Sequence, residues 1–422
     1  MISATGAAPI TSQERVGVLD VLRGFALLGV LMVHLNTWPA PPFLTTEVQW
    51  AALTATRADR WTEFLATWLF YDKANTLFAF LFGAGFWVQM QRMMGRAAVT
   101  GAATGTSGSF GTLYLRRLAV LLAIGIINCA FFWPWDILHV YAIAGFALFA
   151  LRNASDRLLL IGGLVFAFAG RPVLDLVLER LGTMGPALEM AYADAAILER
   201  QSATSYADQF GLFQQLTFVE WLSGGLIVGW LAYALGRFMI GAYVARRGWL
   251  QRSGELLPQY RFWLAVCLPL GLAGEFVATA LSLETFAALA PLAGMKTALH
   301  FASVPLLAVG YVCLIVLVYH SGASGLVRIF APVGRMALTN YIAQGIAIGL
   351  LLYGFTPALD MLGKIGPLAL TVCGLGFFAA QIVVSHWWLR VFAYGPLEWV
   401  WRALTYGARP PMRRAVTRAM PA

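Results

Sequence analysis

The stretch Gly17-Val-Leu-Asp20-Val-Leu-Arg23-Gly-Phe-Ala-Leu-Leu-Gly-Val-Leu-Met-Val-His34-Leu-Asn36 decides how the chain is read. It is long enough to cross a bilayer core as a helix, which takes about 20 apolar residues. The first 13 residues carry no positive segment ahead of it, and Asn36-Thr37-Trp38-Pro39 after it offers no small-residue cleavage site. The segment therefore reads as a retained span and not as a removed signal. Its polar residues follow a pattern. Arg23 and His34 are 11 positions apart, which is three turns plus about 20°, so both side chains leave the same face, roughly 16 Å apart along the axis. Asp20 lies one turn before Arg23 and can pair with it. One reading is a snorkelling arginine and a hydrogen-bonded interfacial histidine. The other is a polar pathway with an anion-binding end and a base, because ionisable groups inside a span are costly and serve function by default.

Working outward, the whole chain has the same character. Of 422 residues, 60% are hydrophobic and 12% charged, against about 25% charged in a soluble domain. A water-soluble enzyme, a disordered chain and a disulfide scaffold are excluded. Nine further apolar segments are expected as helices, near 73–91, 114–132, 137–151, 158–178, 216–244, 262–282, 298–319, 333–353 and 366–390. The expected fold is all-α and polytopic, about ten transmembrane helices with both termini cytoplasmic. Residues 1–16 form the N-terminal segment, 17–394 the transmembrane domain and 395–422 a basic tail. Sorting the charges by side tests the count. One side collects 21 arginines against 5 acids, net +16, and the other 8 basic groups against 15 acids, net −7. The overall charge of +9 is thus topology and requires no nucleic acid. Cys129, Cys267, Cys313 and Cys373 sit in apolar runs and read as buried, inert thiols.

The segments between spans are also readable. Residues 37–72 begin with Pro39, Pro41 and Pro42 and continue as an amphipathic run expected to lie in the interface. Residues 179–215 read as a short helical excursion, and 95–112 as a flexible Gly/Ser/Thr/Ala-rich loop.

Two more groups of polar residues stand out. Asn128-Cys-Ala-Phe-Phe-Trp133-Pro-Trp135-Asp136-Ile-Leu-His139 forms a tight hairpin. Pro134 ends one helix, and Asp136 is placed either to cap the next or to pair with His139. Gly334-Arg335-Met-Ala-Leu-Thr339-Asn340-Tyr341-Ile-Ala-Gln344 opens the ninth span with an arginine at a helix start, an arrangement suited to a phosphate. Asp72-Lys73-x-Asn75 reads as a helix cap, and His300, His320 and His386 as interfacial. Gly83-x-Gly85 reads as a packing feature. No spacing argues for a metal, and there is no Walker loop, GxSxG elbow or dinucleotide fingerprint.

Several blocks carry a family likeness. Leu19-Asp20-Val-Leu-Arg23-Gly24-Phe25-Ala26, Leu81-Phe82-Gly83-x-Gly85-Phe86, Asp136-Ile137-Leu138, Gly334-Arg335-Met336-Ala337-Leu338-Thr339-Asn340-Tyr341 and Gly395-Pro396-Leu397-Glu398-Trp399-Val400-Trp401-Arg402 resemble the YeiB-like bacterial membrane proteins, in order and through nearly the whole chain. That family is grouped with the transmembrane acyltransferases, including the acyltransferase-3 proteins and heparan-alpha-glucosaminide N-acetyltransferase. The YeiB-like pattern has Asn where His34 stands and His where Asn128 stands, which implies that the two positions are neighbours able to trade one imidazole. His34 instead matches the acyltransferase-3 pattern, whose first span carries Arg and His at the same spacing.

The resemblance implies acyl transfer across a bacterial cytoplasmic membrane. Acyl-CoA, acetyl-CoA first among them, is the expected co-substrate, with a small-molecule or lipid-linked acceptor. Self-association is open. Arg23, Arg116, Arg117, Arg335, Asn340, Tyr341 and Arg402 are the candidate acyl-CoA ligands; His34, Asn128 and Asp136 are the candidate catalytic set. Transport of a polar or lipid-linked solute is the alternative function. A structural membrane partner without chemistry is a third.

Overall fold

The computed structural model describes residues 16–41, 43–99, 106–181, 193–202, 205–217, 221, 226–352 and 361–414. Among them the fold is all-helical, with one isolated β-bridge between Phe392 and Arg413. Gly17–Asn36 (α1) is buried along nearly its whole length and joins both hydrophobic clusters of the core. Next come Glu47–Leu53 (α2), Arg57–Phe70 (α3), Lys73–Val99 (α4), Thr106–Phe131 (α5) and Leu138–Ala150 (α6). Residues 158–180 (α7) form one helical run with π-turns at Leu158–Gly162 and Phe166–Gly170. Asp194–Gln201 (α8), Tyr206–Thr217 (α9), Leu226–Arg246 (α10) and Leu257–Ser282 (α11) follow. The 3₁₀ segment Ala287–Met295 leads into Lys296–Tyr319 (α12), and two short turns, Gly325–Arg328 and Ala331–Arg335, precede Ala337–Leu352 (α13). Pro367–Val391 (α14) and Pro396–Tyr406 (α15) complete the bundle.

Seven of the described helices are long and apolar enough to cross a membrane. Many large apolar side chains point outward, among them Ile126, Ile127, Ile161, Val165, Leu270, Val383 and Trp387. Contiguous exposed apolar surface on this scale needs a hydrocarbon solvent. The protein is a multi-pass membrane protein. The other expected spans are helical too: α4, and α6 and α13 at 13 and 16 residues. The end of the bundle at residue 17 is called the basic end below, and the end at residue 36 the acidic end.

Small residues let the helices touch backbone to backbone. A side chain at Gly334 would strike the Asp20 carbonyl of α1, and one at Gly83 would strike the Phe238 backbone of α10. The packing role read for Gly83 is thus observed.

Other expectations change. The loop 95–112 shrinks, because helix formers carry α4 to Val99 and α5 starts at Thr106; residues 100–105 lie outside the described residues. The interfacial run 37–72 is tied to the bundle. Thr46 and Gln49 form a capping box at α2, Trp50 Nε1 donates to Glu63 at 2.8 Å, and Trp68 Nε1 donates to the Leu272 carbonyl of α11 at 2.9 Å. The excursion 179–215 holds α8 and α9. Three cysteines are buried, but Cys373 is exposed: α14 turns it outward on a face shared with Leu368, Val372 and Leu375. The segment from 395 folds against the bundle. α15 packs on α5 and α13, ends on Gly407 at φ 67°, and leads to a backbone pairing of Ala393 with Met412 and of Val391 with Arg414.

Candidate functional site

Arg23 and His34 open into two different cavities, one beyond the other along α1. The first, at the basic end, has a volume of about 240 Å³ and is lined by Asp20, Arg23, Arg92, Arg117, Arg335, Glu398, Trp401 and Arg402. Arg23 pairs with Asp20 at 3.4 Å, as its one-turn spacing predicts. Gly85 of α4 makes room for it: a Cβ there would meet the Arg23 guanidinium. Arg117 lies over the Trp401 ring at 3.7 Å, while Trp401 Nε1 donates to the Arg117 carbonyl at 2.9 Å. Arg402 lies over Tyr394 at 4.7 Å. Arg116, next to Arg117 on the helix, is exposed and does not line this cavity. It lies beside the Gly407 turn.

The helix start expected to hold a phosphate is occupied by the protein itself. Helix geometry breaks at Met336 (φ −109°, ψ 36°), so Arg335 ends a short turn and α13 begins afresh at Ala337. The backbone N–H groups of Leu338 and Thr339 donate to Glu398 Oε1 at 2.7 and 3.1 Å, and Thr339 Oγ1 donates to Glu398 Oε2 at 2.6 Å. A carboxylate from α15 thus satisfies donors that a helix N-terminus always leaves free. Burial pushes the Glu398 carboxyl up, and the bonds from Thr339 and Leu338 oppose that. We expect Glu398→Ala to lower stability by about 2–4 kcal/mol, from the loss of charge-assisted bonds to buried donors. Thermal unfolding in detergent measures this; an unchanged midpoint would exclude the role.

The second cavity, about 200 Å³, is lined by His34, Thr37, Trp38, Tyr71, Asp72, Asn75, Trp135, Arg171 and Trp221. It shares Phe78, Tyr141 and Tyr341 with the first, so these three rings form the partition between them. His34 is 6% exposed, and its Nδ1 finds no hydrogen-bond partner among the described residues. Its ring lies 5.3 Å from Trp133 and 6.2 Å from Tyr341. A buried polar atom left unmatched costs stability, and each such group calls for an explanation. An imidazole kept ready for a substrate proton is one.

Asn128 and Asp136 meet, but not in this cavity. Asn128 Nδ2 donates to Asp136 Oδ1 at 2.9 Å, and Asp136 Oδ2 accepts the Leu138 N–H at 2.9 Å, capping α6. His139 Nδ1 stands 3.6 Å from Asp136 Oδ2. The capping reading of Asp136 is therefore realised, while His139 Nδ1 stands near it without a hydrogen bond among the described residues. The link from this group to His34 is indirect. Trp133 donates its backbone N–H to the Asn128 carbonyl and its ring faces His34, while the Tyr341 hydroxyl accepts the Ile137 N–H at 3.3 Å. Asn340 turns the other way. Its Nδ2 donates to the Val333 carbonyl and to Ser385 Oγ, and Gln344 pairs with Gln381 at 2.9 Å. These are interhelical bonds holding α14 to α13. Arg335, ahead of the break at Met336, lines the first cavity, while Thr339 meets Glu398 and Asn340 and Gln344 face α14.

A cluster that sequence reading assigned to caps and interfaces is buried. Lys73 and Glu275, each 1% exposed, pair at 2.5 Å. His300 places Nδ1 3.0 Å from Glu275 Oε1 and Nε2 3.1 Å from Asp72 Oδ2. Arg237 is 4% exposed and donates Nε to Thr76 Oγ1 at 2.9 Å near the acidic end of α4; helical side chains lean toward their own N-terminus. Glu275, inside the apolar run of α11, was the available signal: an acid within a span requires a cation in a neighbouring one. A third cavity of about 590 Å³, reaching under α2 and α3, adjoins this cluster.

These cavities and helices define a helical multi-pass membrane protein with two cavities along its first span. A model for a family described as "Protein of unknown function (DUF418)" matches residues 244–408. The uncharacterized protein YxaH of Bacillus subtilis (strain 168) is 30% identical over 426 residues, covering 96% of this chain and 98% of its own length. The uncharacterized protein YeiB of Escherichia coli (strain K12) is 30% identical over 415 residues, covering 94% and 98%. An uncharacterized 39.9 kDa protein of Bacillus acidopullulyticus is 26% identical over 421 residues, covering 96% and 97%. The chain belongs to this YeiB-like family. No solved structure matches it.

Proposed function

We propose that the protein is a membrane-bound acyltransferase, moving an acyl group from acyl-CoA to a hydroxyl or amine on the opposite side of the membrane. The observation that carries this reading is the stacking of two cavities along α1, one with five arginines and the next with His34, separated only by Phe78, Tyr141 and Tyr341. Arg23, Arg117, Arg335 and Arg402 suit the phosphates of the acyl donor, by charge and by guanidinium geometry, and Arg92 joins them. Trp401 and Tyr394 add stacking surface. Arg116, exposed, meets phosphate only outside the cavity. Tyr341, on the partition, borders the thioester, whereas Asn340 supports the helix that carries Tyr341.

In the reaction, His34 takes the proton from the acceptor as its oxygen or nitrogen attacks the thioester carbonyl. The new C–O or C–N bond forms, the C–S bond breaks, and the proton passes to the departing sulfur. Asn128 and Asp136 brace Trp133 and the start of α6, and so the wall behind the imidazole. In this reading the chain crosses the bacterial cytoplasmic membrane ten times, with α4, α6 and α13 added to the seven apolar helices and with both termini and the basic end in the cytoplasm.

Acetyl-CoA is expected to raise the unfolding temperature of the detergent-solubilised protein, since a ligand at 100 times its Kd contributes about 2.7 kcal/mol. Replacing both Arg117 and Arg402 by Ala is expected to weaken acetyl-CoA binding by about 100-fold, or about tenfold for each lost contact of 1.4 kcal/mol. Binding left intact in that variant would refute the donor site. A continuous line of three cavities, each sharing residues with the next, also favours a solute pathway. Solute flux without acyl-CoA consumption in proteoliposomes would select that reading.

A further inference from the structure

The second and third cavities share Thr37, Phe43, Tyr71, Asp72 and Arg171. These residues form the neck between the two cavities, and so a way to His34 from the third. Asp72 stands in that neck with an unusual backbone: its φ of 59° is a left-handed value that residues other than glycine rarely adopt. Such strain persists only where surrounding contacts enforce it.

The enforcing contacts are visible. The Asp72 side chain meets His300 Nε2 from α12, and its carbonyl accepts the Tyr233 hydroxyl of α10 at 3.1 Å. The other nitrogen of His300 meets Glu275 of α11. A ring with a carboxylate at each nitrogen carries both N–H protons, and so a positive charge. His300 therefore holds α11 and the Tyr71–Asp72 turn together only while doubly protonated. A neutral ring has one N–H and must release one carboxylate. Glu275 keeps Lys73 when that happens.

We infer that Asp72, His300 and Glu275 form a proton-operated latch on the neck between the third cavity and the cavity of His34. The inference holds whether the route serves acyl transfer or transport. The charged and titratable groups around the latch are Tyr71 and Lys73 beside it, Glu47 and Glu63 on α2 and α3, Arg171 on α7, Tyr233 and Arg237 on α10, and Lys296 and Tyr311 on α12. Burial alone would raise the Asp72 carboxyl, but the His300 bond and charge, with Arg171 and Arg237, hold it down to about 2. Acid within the working range therefore leaves Asp72 ionised. The latch is closed at neutral pH and opens as rising pH removes the second proton of the ring.

Thiol labelling of the full chain in nanodiscs by a charged methanethiosulfonate reagent tests this. Asn75→Cys reports the second cavity, outside the neck, and Gln89→Cys reports the first. The parent chain gives the background from its own cysteines. The ratio of the two rates is expected to be low at pH 7 and to rise at least tenfold by pH 10. His300→Ala should keep the ratio high at every pH. His300→Arg, with a permanent charge able to bridge both carboxylates, should keep it low at every pH. A ratio that stays flat with pH in the parent, or that climbs with pH in His300→Arg as in the parent, would overturn the inference. So would a rise shared equally by Gln89→Cys, which marks general loosening.

Discussion

His34→Ala is expected to abolish acyl transfer while leaving the fold intact. A positioned general base contributes about 10²–10⁴ in rate, so transfer from acetyl-CoA should fall by at least about 100-fold. The thermal midpoint should move little, for a structural reason. Nδ1 makes no hydrogen bond among the described residues, so truncation strands no buried partner there. Removing a desolvated polar ring offsets part of the lost packing against Trp133 and Tyr341. Acetyl-CoA binding should persist, because the arginines that line the first cavity lie beyond the Phe78–Tyr141–Tyr341 partition. Loss of turnover with retained binding separates a chemical role for His34 from a structural one. Transfer at the parent's rate in this variant would remove His34 from the mechanism.

How far the molecule could be read without coordinates depended on whether a feature was local. The period of α1 fixed the common face of Arg23 and His34, and each opens into a cavity along that helix. The Asp20–Arg23 pair and the close packing at Gly83 followed from spacing alone. Features made by contact between distant segments were hidden. The Glu398 carboxylate reaches Thr339 across 59 positions, and each residue read alone is an ordinary helix-end residue. Lys73 and Glu275 are 202 positions apart. Lys73 read as part of a helix cap, and Glu275, an acid inside the apolar run of α11, did not by itself say which cation it meets. Asn340 lies away from the first cavity for a related reason. Helical phase predicts which residues share a face, but the break at Met336 resets that phase and sends Asn340 toward α14.

Lys73→Met is expected to be among the most destabilising single substitutions in the chain. Lys73 and Glu275 are each 1% exposed, and removing one member of a buried ion pair costs about 3–5 kcal/mol, because the other charge is left without compensation. Here His300 still donates to Glu275, which places the expected loss toward the lower end of that range. The Thr67 carbonyl also loses the bond it accepts from Lys73 Nζ at 2.9 Å. Glu275→Leu alone should be costly as well, since it strands Lys73 while His300 retains only Asp72. The double variant Lys73→Met/Glu275→Leu should recover much of either loss, because two well-packed apolar groups need no mutual solvation and His300 keeps its bond to Asp72. Unfolding midpoints of the three variants in one detergent supply the cycle. If the double variant is as unstable as the sum of the singles, the two residues are not coupled and the buried pair is not what holds α4 to α11.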